Sequence, residues 1–244
     1  MNSVKGSTAS ETKLIKAVQS AVGAKVDGLI GAQTMSDIAV EVGANCWPLT
    51  LQIYSNPVII CKDIDVIGTT TRCSAHKNSI SGSFSYQSKP CSILVNNGKA
   101  IAGSACHAWL NKPECVLYRL NNGKFGVKRC LYSTELPSGV KWAVGGMGLL
   151  NMYSPAVEGF SGAYADVLRQ TNHTVLGVKN EMVYLVYCKS MTGKQVDTFC
   201  KDKLKLDLAI MLDGGHVAAI NGEESFARIN TTQAQYYLIK AANI

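Results

Sequence analysis

The stretch from residue 174 to 215 constrains the fold more than any other part of this chain. Val175-Leu176-Gly177-Val178 and Met182-Val183-Tyr184-Leu185-Val186-Tyr187-Cys188 have strand composition and are joined through Lys179-Asn180-Glu181. Val196, Phe199, Cys200 and Leu204 then recur at helical spacing with charges between them. Thr192 stands at the N-cap position, and lysines gather toward the far end, where they suit the helix dipole. Last comes the apolar run Leu208-Ala209-Ile210-Met211, which leads into Leu212-Asp213-Gly214-Gly215. A short apolar run ending in a carboxylate and two glycines predicts a buried strand that stops at a tight turn. The strand holds Asp213 rigidly, and the glycines, lacking Cβ, let a backbone or a ligand come close. The same residues also serve a plain Asp-Gly turn.

Residues 44–170 read as short strands and turns. Pro48, Pro57, Pro90, Pro113 and Pro137 punctuate them, and Asn97-Gly98 and Asn122-Gly123 are hairpin signals between apolar segments. Near the start, Leu14, Ile15, Val18 and Val22 share one helical face, and Met35, Ile38, Ala39 and Val42 share another. Between them, Asp27-Gly28 makes a turn, Gly31 adds a flexible point, and Thr34 lies near the second helix start, where its hydroxyl can cap. The expected fold class is therefore α+β: a mixed β-sheet domain with helices, preceded by a small helical hairpin module, with a boundary near residues 43–48.

The order of these segments resembles the phosphodiester glycosidase family, relatives of the mannose 6-phosphate uncovering enzyme that include many bacterial and phage proteins. Ile80-Ser81-Gly82-Ser83-Phe84, Leu94-Val95-Asn96-Asn97-Gly98-Lys99, Val144-Gly145-Gly146, His173-Thr174-Val175-Leu176-Gly177 and Leu212-Asp213-Gly214-Gly215 are similar to five segments of the family pattern. The resemblance covers roughly residues 55–230. Ser81 stands where the family has asparagine, His173 where it has arginine, and His216-Val217 where it has glycine and serine. Asp27-Gly28-x-x-Gly31-x-x-Thr34 is similar to the loop of a peptidoglycan-binding helical module. Together the resemblances imply a peptidoglycan-binding-like module at 1–46 and a phosphodiester glycosidase-like α+β domain at 47–244. They imply a phage endolysin-like wall enzyme that cleaves a sugar–phosphate or related glycosidic bond.

Such cleavage needs groups that hold phosphate and a carboxylate that stabilises the oxocarbenium-like centre, attacks it or activates water. Asp213 is the candidate carboxylate. His216 is a candidate acid or base, and His173 is a phosphate contact that carries charge only when protonated. Gly145, Gly146 and Gly215 are candidate backbone donors for phosphate oxygens. Ser81, Gly82, Thr174 and Gly214 complete the substrate-binding set, while Asp27, Gly28, Gly31 and Thr34 form the wall-binding set. Glu158 is a second carboxylate to consider, although such a residue is more often on the surface. The three altered family positions also motivate the alternative of a non-catalytic wall- or carbohydrate-binding protein with a degenerate site.

The formal net charge of +7 attracts polyanions. The lysines are dispersed and not interleaved with aromatics, so peptidoglycan or teichoic acid is the expected partner and nucleic acid is not. No apolar run reaches membrane-spanning length, and the polar start carries no secretory signal. Synthesis in the cytoplasm followed by action at a bacterial cell wall is the expectation. Nine cysteines form no C-x-x-C pair, so free thiols are expected, with no metal and no cofactor.

Overall fold

The apolar runs of this chain do not alternate with polar residues, because the central strands they form are covered on both faces. The computed structural model describes residues 48–69, 71–87, 89–231 and 237–242, and before them Val4, Lys5, Ile15, Lys16, Gln19, Ser20, Val26, Leu29 and Ile30. In chain order the strands are β1 (Val4–Lys5), β2 (Leu29–Ile30), β3 (Leu49–Ile53), β4 (Asn56–Cys61), β5 (Ile64–Gly68), β6 (Ser79–Ser81), β7 (Ser85–Tyr86), β8 (Lys89–Pro90), β9 (Leu94–Asn96), β10 (Lys99–Ala102), β11 (Glu114–Leu120), β12 (Phe125–Cys130), β13 (Val140–Gly148), β14 (Thr171–Lys179), β15 (Met182–Met191), β16 (Leu208–Gly214), β17 (Ile220–Asn221), β18 (Arg228–Ile229) and β19 (Tyr237–Ala241).

Ten strands make one sheet in the order β10-β9-β13-β16-β14-β15-β4-β3, with β11 on β13 and β12 on β11. A second sheet of five strands runs β18-β17-β6-β19-β5. Along the central strands, alternate residues serve two cores. Ile59, Leu176, Leu185, Ile210 and Leu212 pack with Ile80, Ile220 and Ile239 of the second sheet. Val58, Ile60, Val175, Tyr184, Val186 and Met211 point the other way, against Val196, Phe199, Cys200 and Leu204. The two-residue side-chain period of a strand produces this division and sets Asp213, two residues after Met211, on the helix-side face at the strand end.

The α+β expectation is corrected by this structure. The described residues are mostly antiparallel strand, with one helix of 12 residues. That helix runs from Gly193 to Leu204, α-wound in its first half and π-wound in its second. Its start carries the Thr192 N-cap read from the sequence, which the structure extends to a full capping box with Gln195. Thr192 Oγ1 accepts from Gln195 N at 3.2 Å, and Gln195 Oε1 accepts from Thr192 N at 2.8 Å. Elsewhere, prolines and glycines cut the apolar runs to strand length, too short for stable helices, and cross-strand pairing satisfies their backbones instead. Lys179-Asn180-Glu181 closes the β14–β15 hairpin with Asn180 and Glu181 at φ of 48° and 60°, the signs a two-residue hairpin turn requires.

In the N-terminal segment Ile15, Lys16, Gln19 and Ser20 are helical, and β1 pairs with β2. The rest of the expected helical hairpin, including Asp27, Gly28, Gly31 and Thr34, lies outside the described residues.

Candidate active site

β16 ends at the Asp-Gly-Gly turn, and each glycine has a local reason. A Cβ on Gly214 would stand 2.7 Å from Asn172 O and 2.9 Å from His173 Nδ1, so this position has no room for a side chain. Gly215 has φ +66°, which L side chains rarely adopt. The turn leaves Asp213 at the junction of two cavities, one of about 480 Å³ and one of about 660 Å³.

Asp213 is half-buried. Burial pushes its carboxyl up to about 7, and the nearby negative charge of Asp166 pushes the same way. Backbone N–H groups of Gly214 and Ser85 oppose the rise, with Gly214 N donating to Asp213 Oδ1 at 2.8 Å. A carboxyl titrating near neutrality exchanges its proton at working pH, a property suited to acid–base or nucleophilic work.

The smaller cavity is polar. Asp213, Gly214, Gly215, His173 and His216 line it, together with Gln87, Asp166, Arg169 and Thr171. His173 is fully buried, and burial holds its imidazole below the usual range despite backbone carbonyls that favour the charged ring. Its Nε2 lies 2.8 Å from Met191 O and 3.3 Å from Arg169 O, which makes Nε2 the protonated nitrogen of the neutral ring. Nδ1 is buried without a hydrogen-bond partner among the described residues. A neutral His173 brings no positive charge at pH 7.

Arg169 supplies that charge. It is exposed on the cavity wall, and its Nη2 would be 4.0 Å from a Cβ on Gly215. Sequence reasoning passed over Arg169 and Asp166. Both sit at or beside the 3₁₀ segment Gly162–Leu168, which has no hydrophobic period, and only their nearness to His173 in the chain pointed to them. His216 is exposed on the short turn Gly215–Val217 at the rim.

The remaining candidates stand behind the cavity wall. Thr174 Oγ1 donates to Asp213 O at 3.0 Å, and Ser81 Oγ accepts from Ala219 N at 3.1 Å. Gly82 O accepts from Asp213 N at 3.3 Å, and a Cβ on Gly82 would stand 2.5 Å from Tyr237 O. Ser81, Gly82 and Thr174 thus tie the two sheets together beneath Asp213. Gly145 N donates to Ile93 O at 2.7 Å, so this N–H is spent inside the sheet. A Cβ on Gly145 would collide with the Glu114 carboxylate, and one on Gly146 would stand 2.6 Å from Met211 O. Glu158 is buried away from both cavities, accepting from Gly148 N at 3.0 Å and Cys115 N at 3.2 Å.

The larger cavity is aromatic, with Phe84, Tyr86, Trp109, Phe160 and Tyr164 around it. Cys91 and Cys106 also line it, their sulfurs 3.5 Å apart without a bond. Among the described residues no three His, Cys, Asp or Glu side chains gather as a metal site.

No protein-family model matches this chain, and no curated protein matches it. Solved structures do. One is the zebrafish N-acetylglucosamine-1-phosphodiester alpha-N-acetylglucosaminidase catalytic domain, auto-inhibited by its pro-peptide. It aligns with a TM-score of 0.58 and 12% identity over 80% of this chain and 81% of that one. Another is a hypothetical protein from Synechocystis, with a TM-score of 0.55 and 10% identity over 79% of this chain and 60% of that one. The chain therefore shares its fold with the catalytic domain of a phosphodiester glycosidase.

Proposed function

We propose that this protein is a glycoside hydrolase that cleaves a sugar–phosphate bond, or a closely related glycosidic bond, in a bacterial wall polymer. The observation that carries the reading is the placement of Asp213 at a strand end between two cavities, with Asp166 and Arg169 on the same wall and its carboxyl near neutral. Arg169 holds the phosphate as a fixed, permanently charged fork. Asp213, ionised, stabilises or attacks the anomeric carbon as the bond to the phosphate oxygen breaks. Phosphate is a good leaving group, so the acid that glycosidases normally present to an alkoxide matters less here, and Asp166 or His216 at the rim activates water for the second half of the reaction. Peptidoglycan or teichoic acid is the proposed partner, with the N-terminal segment as the wall-binding part of an endolysin-like protein.

The neutral, buried state of His173 favours a second reading, a non-catalytic carbohydrate-binding protein, because the family arginine's charge is gone from that position.

The two readings separate in one assay. The native protein and Asp213→Asn are incubated with whole walls and with the methyl diester of N-acetylglucosamine 1-phosphate, and released sugar is identified by mass spectrometry. Release by the native protein alone supports the hydrolase. Binding without release by both supports the second reading. Deleting residues 1–46 is expected to weaken pull-down on insoluble peptidoglycan, at salt above about 0.15 M where exposed-charge attraction is screened, and to leave turnover of the soluble diester intact.

A further inference from the structure

The larger cavity points to a ligand that the phosphate chemistry does not require. Its rings form a continuous chain from core to solvent. Phe84 and Phe160 are buried, with ring centroids 5.2 Å apart. His107 stands 4.9 Å from Phe160 and 4.9 Å from Tyr164, and Trp109 stands 6.0 Å from Tyr164, nearly edge-on at 80°. The inner end is rigid, because His107 Nδ1 is 2.9 Å from Glu158 O. The outer end is open: Trp109 is 68% exposed, Tyr86 71% and Tyr164 40%.

Trp109 is not exposed through looseness. It rides on the tight turn Ala108–Leu110, which is closed by Asn111 N to Ala108 O at 2.9 Å and stopped by Asn111 at φ 54°. Three large rings held in water around one concave surface are uncommon and mark a binding surface.

The polar groups of this cavity decide what fits. Ser85, Asp166 and Asp213 lie on its edge and are shared with the phosphate-side cavity. On the phosphate side Arg169 offsets Asp166 and Asp213, whereas no lysine or arginine lines the aromatic cavity, so there the two carboxylates disfavour an anionic occupant, and an acyl chain would leave them unpaired. A pyranose ring has flat C–H faces for the aromatics and hydroxyls at its edge for Ser85 and the carboxylates. Resting on the hydrolase reading above, we infer that the aromatic cavity is a neutral-sugar subsite, with Trp109 and Tyr164 as its stacking platform. The substrate is then an oligosaccharide-bearing phosphodiester that lies across Asp213, sugar rings on the Trp109 side and phosphate on the Arg169 side.

The test uses chitotriose as a neutral probe and Asp213→Asn as the host, so that no turnover is needed. Calorimetry is expected to show saturable binding, and tryptophan emission is expected to change with the same midpoint. Trp109→Ala and Tyr164→Ala, each added to that host, should weaken binding at least tenfold with unchanged far-UV dichroism. Trp109→Phe should keep most of the affinity and lose the fluorescence change. Inorganic phosphate should not displace the probe. No saturable binding up to millimolar chitotriose, or equal affinity in the Trp109→Ala variant, overturns the subsite whether or not the native protein hydrolyses the diester. Binding that survives while every hydrolysis assay is blank overturns the enzyme reading and leaves the subsite standing.

Discussion

Replacing Asp213 by asparagine should make the protein inert and more stable at once, and the gain should depend on pH. The Asp213 carboxyl titrates at about 7 in the folded protein, against an ordinary 3.8, chiefly because it is buried. Below about pH 4 both folded and unfolded chains hold the proton, and the site costs nothing. Between about pH 4 and 7 the unfolded chain has released it while the folded chain retains it, so stability falls as pH rises. Above pH 7 the ionised carboxylate sits in the fold at a full cost of about 4 kcal/mol, taking ~1.36 kcal/mol for each pH unit of separation. Asparagine carries no charge, and its Oδ1 can still accept the Gly214 N–H. Urea unfolding of both proteins at pH 4, 6 and 8 isolates this effect, because the other titrating groups are common to both. The variant-minus-native difference should grow by about 3–4 kcal/mol from pH 4 to pH 8. A difference that stays flat across that range would refute the argument that burial, rather than a compensating partner, sets the state of Asp213.

Three further outcomes are expected. Arg169→Gln should raise KM for a sugar phosphodiester about tenfold or more by removing a charged hydrogen-bond donor, while leaving the thermal midpoint nearly unchanged because Arg169 is exposed; steady-state kinetics and a melting curve check both. Asp63→Asn should destabilise by about 3 kcal/mol, because Asp63 accepts from Trp142 Nε1 at 2.6 Å, Arg119 Nη1 at 2.8 Å and Lys141. Burial raises the Asp63 carboxyl, but those donors outweigh it and hold it below the usual range, so its contribution is present above about pH 4 and lost as pH falls below; acid titration of native and variant proteins reads this directly. Cys91 and Cys106, half-exposed in the aromatic cavity, should react with a thiol reagent well before the buried Cys61, Cys73, Cys115, Cys130, Cys188 and Cys200, and peptide mapping of the modified protein gives the order.

Where local chemistry suffices, the chain is readable. Thr192 announces the helix start, Asn180 and Glu181 the hairpin turn, and Asp213-Gly214-Gly215 the strand end, because each depends on residues a few positions apart. The second sheet is not readable this way. Its central pairings join Ser79–Ser81 to Tyr237–Ala241 and to Ile220–Asn221, more than 130 residues apart, through strands too short to show a period. The site divides on the same line. Asp213, His173 and His216 were visible because two adjoining strands and one turn carry them. Asp166, Arg169 and the aromatic cavity's rings come from three separate segments with no repeat, and only the folded chain brings them together. Glu158 reads as a surface residue, yet four donors hold it inside.

The crowding along β13 bears on how descent should be traced in proteins of this kind. At Gly145, Gly146 and Gly148 a Cβ would strike a carboxylate, a carbonyl or a sulfur of the surrounding structure. Any replacement there would disrupt the sheet before it affected a substrate. Those glycines can therefore persist through lineages that have abandoned the chemistry altogether. Shared glycines on this strand report common ancestry of the scaffold, whereas a shared acidic and basic pair at the places of Asp166 and Arg169 would report inheritance of a reaction.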